Sequence, residues 1–147
     1  YHKGSMQSVA SKVFRDVGEG KSATLFESHH PDYEDGGQLR DFIWVGDCVD
    51  IILWLMENEG VSGLFNCGTG HARSFADLAR AVYAAKGTEP LIEYVDTPVQ
   101  IRDKYQYFTE AKMDRLRAAG YDKPMTELED GIATYVCDFL DTDAPYR

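Results

Sequence analysis

Arg40-Asp41-Phe42-Ile43-Trp44-Val45-Gly46-Asp47 is the stretch on which the reading of the fold turns. An Arg–Asp charge pair runs into four apolar or aromatic residues. Residues 42–45 are β-branched or aromatic without alternation, which predicts a strand covered on both faces. Gly46 permits a turn, and Asp47 is a preferred N-cap for the helix expected over 47–58. Asp50 then adds negative charge near the positive end of that helix. Val49 and Ile51 to Met56 are apolar nearly all round, which predicts burial on more than one side. A strand that begins with a guanidinium can present that charge to an anionic ligand.

Upstream, residues 23–27 read as a short strand and residues 28–37 as a polar loop with turn chemistry. The expected arrangement is a long-looped hairpin between 23–27 and 39–45. His29, His30, Asp32, Glu34 and Asp35 share that loop, but their spacing matches no metal-ligand pattern, so no metal is expected. Further upstream, Met6, Val9, Ala10, Val13, Phe14 and Val17 predict an amphipathic helix over 5–17. Ser5 is its expected N-cap, and Gly18 and Gly20 end it. Ser5, Ser8 and Lys12 share its polar face, which by itself reads as a solvated surface.

Downstream, residues 64–67 read as a short buried strand and Gly68-Thr69-Gly70 as a tight strand-to-helix turn. Ser74 and Asp77 open a helix whose apolar face is Phe75, Leu78, Ala79, Val82 and Tyr83. Residues 91–95 alternate as a strand, 96–104 form a loop, and 105–108 are extended and aromatic. Thr109 is expected to cap a short helix with Met113 and Leu116 inward. Thr126 to Glu129 reads as a capping box for the last helix, with Leu128, Ile132, Tyr135, Val136 and Phe139 inward.

The chain has 147 residues, 44% hydrophobic and 12% aromatic, enough for a core. Its formal net charge of -10 argues against nucleic acid or an anionic membrane as a partner. An anionic ligand must therefore be met by a local cluster of Lys and Arg. Three cysteines, Cys48, Cys67 and Cys137, sit in apolar contexts and read as buried free thiols in a reducing cytoplasm. The longest apolar run, 51–56, is far too short to span a bilayer, and no signal peptide is visible. The opening Tyr1-His2-Lys3-Gly4-Ser5 reads as mid-loop sequence, so a fragment is expected.

This pattern resembles the C-terminal half of extended short-chain dehydrogenase/reductases, the nucleotide-sugar epimerases and dehydratases. The matching residues are Arg40-Asp41-Phe42, Val45-Gly46-Asp47, Phe65-Asn66, Gly68-Thr69-Gly70 and the Ser74-Phe75 helix start. A narrower resemblance is to the ADP-heptose branch of that family. It is carried by His2-Lys3-Gly4-Ser5-Met6, Leu25-Phe26-Glu27, Tyr105-Gln106, Phe108-Thr109 and Leu116 to Pro124.

The resemblance implies an α/β fold, the C-terminal substrate-binding lobe, with small β-hairpin elements, about five helices and the Rossmann domain largely missing. Residues 1–147 would form that lobe, and 46–70 would pack on the missing NADP-binding domain. It implies an ADP-sugar substrate, a lipopolysaccharide core precursor, and NADP as cofactor. It also implies Lys3 as a catalytic acid/base near the cofactor, with Ser5, Lys12, Phe26, Glu27, Ser28, His29, Arg40 and Tyr105 on the substrate. Lys12 stands where the family has histidine, and the 28–38 loop is longer than usual. Neither a dinucleotide glycine turn nor a Tyr-x-x-x-Lys is present, so the chain is not expected to catalyse alone. Its apolar helix 47–58 is expected to be covered by pairing with another copy, a homo-oligomer, when the missing half is absent.

Overall fold

Two small sheets and a layer of helices carry the chain, and the computed structural model describes residues 7–142. The elements run α1 (Val9–Gly18), β1 (Ala23–Phe26), β2 (Leu39–Arg40), α2 (Val45–Glu57), β3 (Arg73–Ser74), α3 (Phe75–Ala85), β4 (Ile92–Val95), α4 (Val99–Arg102), α5 (Asp114–Ala118) and α6 (Leu128–Tyr135). The last of these continues as a wider, π-helical turn over Val136–Leu140.

The main core lies between β1 and the helices α1, α3 and α6. Val13, Ala23, Leu25, Val82, Ile132 and Val136 are buried in it. Tyr83 ties the sheet to this core: its buried hydroxyl donates to Leu91 O (2.6 Å) and accepts from Ala23 N (3.2 Å). A second, smaller cluster joins α2 to α5 through Ile51, Met113, Leu116 and Tyr121. Helix α3 follows its sequence signal closely. Ser74 accepts from Asp77 N (2.9 Å), and the Asp77 carboxylate accepts in return from Ser74 N (3.2 Å), a complete capping box.

The expected hairpin between 23–27 and 39–45 does not form. β1 pairs in parallel with β4, Ala23 opposite Ile92 and Phe26 opposite Val95, and α3 supplies the crossover. β2 pairs antiparallel with β3 over two residues only, Leu39 with Ser74 and Arg40 with Arg73. The expected strand over 42–45 is also absent. The chain leaves the ladder at Asp41 because that carboxylate, not a strand partner, collects the nearby backbone donors. Its oxygens accept from Thr69 N (2.7 Å), Thr69 Oγ1 (2.6 Å), Gly70 N (3.0 Å) and Ala111 N (2.9 Å). Asp41 is therefore no charge partner of Arg40. Gly68 makes the approach possible: a Cβ there would stand 2.6 Å from an Asp41 oxygen and 2.4 Å from the Ala111 methyl.

Two expected helix caps bond each other instead. Helix α2 begins at Val45 with Trp44 at its N-cap, so Asp47 sits inside the first turn. Glu127, not Thr126, holds the N-cap position of α6. The buried Asp47 carboxylate accepts from Thr126 N (2.8 Å) and Thr126 Oγ1 (2.8 Å), fastening α2 to the start of α6. Ser8 rather than Ser5 caps α1, accepting from Ser11 N (3.2 Å). Ser5 lies outside the described residues. Met113, not Thr109, precedes α5, and the 96–104 loop holds α4.

Among the described residues, helix α2 is buried on one side only. Ile51 faces the second cluster, whereas Val45, Val49, Ile52, Leu53 and Met56 are exposed. Residues 64–67, expected as a buried strand, have no strand partner among the described residues, and Leu64 is 80% exposed. The thiols also differ from expectation. Cys67 and Cys137 are exposed and Cys48 is half-buried, with the Cys48 and Cys67 sulfurs 3.6 Å apart. No helix among the described residues is long and apolar enough to cross a membrane.

Candidate functional site

Three of the residues singled out in the sequence meet where β1 ends, β2 ends and the 105–108 segment passes. That segment is held to β2 by Leu39 N donating to Tyr107 O (2.8 Å) and Thr109 N donating to Leu39 O (3.2 Å). It brings Tyr105 beside Arg40 and Phe26. The Arg40 guanidinium carbon lies 5.7 Å from the Tyr105 ring centre and 5.5 Å from that of Phe75. The Phe26 and Tyr105 rings meet edge to face at 6.1 Å. A cation over two ring faces keeps its orientation while its edge stays free for hydrogen bonds.

Arg40 also keeps its charge unspent. In the β2–β3 register it stands opposite Arg73, a like-charge pairing that is unfavourable by itself. Arg73 is drawn away by Glu129 (2.6 Å) and Asp77 (3.4 Å), and the Glu129 hydrogen bond raises its pKa above the ordinary value. Arg40 has no carboxylate partner among the described residues; one of its nitrogens donates to Leu39 O at 2.7 Å. Burial raises the Tyr105 phenol above its usual range, with Arg40 acting in the opposite direction. Its hydroxyl is therefore a neutral donor at physiological pH.

The backbone of residues 26–29 is tied down almost group by group. Gly36 N (3.0 Å) and the buried Gln38 side-chain amide (3.3 Å) donate to Phe26 O. Gln38 Nε2 (3.3 Å) and Thr97 Oγ1 (3.0 Å) donate to Glu27 O. Glu27 N donates to Val95 O (2.8 Å) and Ser28 N to Asp35 Oδ1 (2.7 Å). The loop that supplies Gly36 and Gln38 also accepts, through their carbonyls, from the first N–H groups of α3, Ala76 (3.0 Å) and Phe75 (3.2 Å).

The remaining predicted residues fall elsewhere. Lys12 is exposed on α1, beside a shallow depression lined by Asp16, Lys21, Ser22, Thr24 and Glu93, away from the Arg40 group. His29 turns its Nε2 to Asp96 (2.8 Å), which Arg102 also holds at 2.7 Å. Lys3, like Ser5, lies outside the described residues. Phe75 and Tyr107 belong to the site but were not singled out. Phe75 read as an ordinary apolar-face residue of α3; its place as the first helical residue was the available signal. A separate cavity of about 480 Å³ is lined by Ser8, Phe42, Trp44, Leu128, Ile132 and Tyr135, without Arg40, Phe26 or Tyr105.

The described residues offer no cradle for a dinucleotide. The Gly68-Thr69-Gly70 turn has its Thr69 and Gly70 amides already taken by Asp41. A nicotinamide nucleotide does not fit this turn.

Comparison with known proteins gives a consistent result. Residues 1–68 match the NAD dependent epimerase/dehydratase family. A relative from Nitratidesulfovibrio vulgaris, the ADP-L-glycero-D-manno-heptose-6-epimerase, is 53% identical over 146 residues, covering 99% of this chain and 45% of its own. The chain thus spans less than half the length of that curated relative. Among solved structures, the Helicobacter pylori ADP-L-glycero-D-manno-heptose-6-epimerase superposes with a TM-score of 0.70 at 24% identity, over 89% of this chain and 37% of that one. Thermus thermophilus UDP-glucose 4-epimerase in complex with NAD gives 0.66 at 24% identity, over 85% and 37%. In fold the chain is similar to part of these two solved structures, and in sequence it resembles the Nitratidesulfovibrio vulgaris relative over nearly its whole length.

Proposed function

We propose that this chain is the C-terminal, substrate-binding part of an ADP-L-glycero-D-manno-heptose 6-epimerase. The complete enzyme would invert C6 of ADP-D-glycero-D-manno-heptose by oxidation and re-reduction, supplying a lipopolysaccharide precursor in the cytoplasm. NADP, which accepts and returns the hydride when bound, would be held by a Rossmann half outside this chain. The exposed α2 face and residues 46–70 would pack on that half, or on a second copy where it is absent.

The observation that carries the reading is Arg40, a guanidinium with no carboxylate partner among the described residues, held over two rings at the junction of β1, β2 and the 105–108 segment. In a chain of net charge -10, such a local cation suits a pyrophosphate, which accepts planar bidentate hydrogen bonds. Phe26 would stack on the adenine, and the neutral Tyr105 hydroxyl would donate to a phosphate or sugar oxygen. Glu27, Ser28 and His29 would contact the same ligand. Lys3 would act as acid/base at C6, with Ser5 and Lys12 on the sugar side. Lys12 reaches that role only if the ligand extends to α1. The other reading, a nucleotide-sugar enzyme with a different base, shares Arg40 but not the 53% relative.

Calorimetric titration of ADP and UDP into the full-length gene product separates the two. ADP is expected to bind at least tenfold more tightly; a preference for UDP overturns the heptose reading.

A further inference from the structure

One of the side chains that fasten the 28–38 loop to the site, Tyr107, had no assigned role. Tyr107 lies two residues beyond Tyr105 on the extended segment. Its hydroxyl oxygen accepts from His29 N at 2.9 Å. Its ring packs against His30 (5.1 Å), Tyr33 (5.2 Å) and Tyr105 (5.5 Å), and His30 and Tyr33 meet each other at 5.2 Å. A continuous line of rings therefore runs from the loop, through Tyr107 and Tyr105, to Phe26.

The other ties on residues 26–29 come from β4, from Asp96 and Thr97 just beyond it, and from the loop itself. Among the described residues, the Tyr107 hydroxyl makes the hydrogen bond that joins this segment to the one carrying Tyr105, beside the Phe26–Tyr105 ring contact. The Tyr105 ring lies against both Arg40 and Phe26, so the separation of the two segments sets the width between Phe26 and the phenol of Tyr105. Removing the hydroxyl frees His29 N and lets the loop end drift from Tyr105, while the ring packing persists.

We propose that Tyr107 is a positioning residue for nucleotide binding: its hydroxyl and ring fix the 26–29 segment at the spacing from Tyr105 and Arg40 that an ADP group requires. This rests on the reading of the Phe26, Arg40 and Tyr105 group as an ADP site. Tyr107 touches neither the nucleotide nor the reacting carbon; it acts through His29 and Tyr105.

The test uses Tyr107→Phe and Tyr107→Ala in the full-length gene product, with ADP titration, KM and kcat for the ADP-heptose, and melting temperature. Loss of one neutral hydrogen bond predicts that Tyr107→Phe weakens ADP about fivefold and raises KM by a similar factor, with kcat and melting temperature nearly unchanged. Tyr107→Ala, which also removes the ring stack, is expected to weaken ADP at least twentyfold. If Tyr107→Ala fails to fold, Tyr107→Phe decides the matter. Unchanged ADP affinity and KM in Tyr107→Phe overturn the proposal. So does a fall in kcat and melting temperature with KM intact, the mark of a merely structural residue. A wild-type protein that binds UDP but not ADP overturns the underlying nucleotide reading as well, a result distinguishable from the first because no variant is needed to see it.

Discussion

Replacing Asp41 by asparagine is expected to destabilise the protein by about 3 kcal/mol. The carboxylate accepts four hydrogen bonds from two separate segments, the 69–70 turn and Ala111. An amide in its place turns one acceptor into a donor aimed at backbone N–H groups, and leaves at least one of them unsatisfied. Urea unfolding of the full-length product reads the loss as a lower midpoint; a shift under 0.5 kcal/mol contradicts the assignment.

The effect has a defined pH dependence. Burial alone raises the Asp41 pKa, but the Thr69 hydroxyl and the amides of Ala111, Thr69 and Gly70 outweigh it, and the net shift is downward. A lowered folded-state pKa contributes stability that is fully present above the unfolded value, near 3.9, and is lost as pH falls through the folded value. The gap between wild type and Asp41→Asn is therefore constant at neutral pH and closes below about pH 4.

Arg40→Gln is expected to weaken ADP binding more than a hundredfold, corresponding to about 3 kcal/mol for a desolvated charge–phosphate contact. Arg40→Lys is expected to recover less than half of that in free energy. A lysine places a point charge where the structure holds a flat fork over Phe75 and Tyr105. The wild-type affinity falls with added salt, and the Arg40→Gln affinity falls less steeply. Calorimetric titration with ADP measures all three proteins; an effect below threefold removes Arg40 as the pyrophosphate contact.

The sequence was most legible where a signal is local. Ser74 with Asp77 forms the expected capping box because both partners lie within one turn of α3. The inward faces of α1 and α6 follow their apolar periods through Val13, Leu128, Ile132 and Val136. Asp47 and Thr126 have the same local chemistry as Ser74, yet each is used by the other, 79 residues away in sequence. Nothing in a single chain distinguishes a carboxylate that caps its own helix from one that accepts from a distant segment. The hairpin failed for the same reason. Residues 23–27 and 39–45 are close in sequence, but Leu25 and Ala23 are buried against the helices and pair with β4 beyond α3. Non-alternating residues 42–45 signalled burial without specifying a strand, since Phe42 to Trp44 are half-buried in irregular chain.

The site was legible in its chemistry and less so in its membership. Phe26, Arg40 and Tyr105 were singled out through a resemblance, and the structure brings them together. Lys12 stays apart because it lies on the outer face of α1. Phe75 and Tyr107 joined through the β2–β3 ladder and the 105–108 segment, both long-range pairings.

The most direct test of the account is turnover. The full-length gene product is incubated with NADP and ADP-D-glycero-D-manno-heptose, and the configuration at C6 is followed by proton NMR. The account predicts a mixture of D-glycero and L-glycero epimers, reached from either starting compound. An unchanged C6 centre, together with turnover of a UDP-sugar by the same preparation, contradicts it.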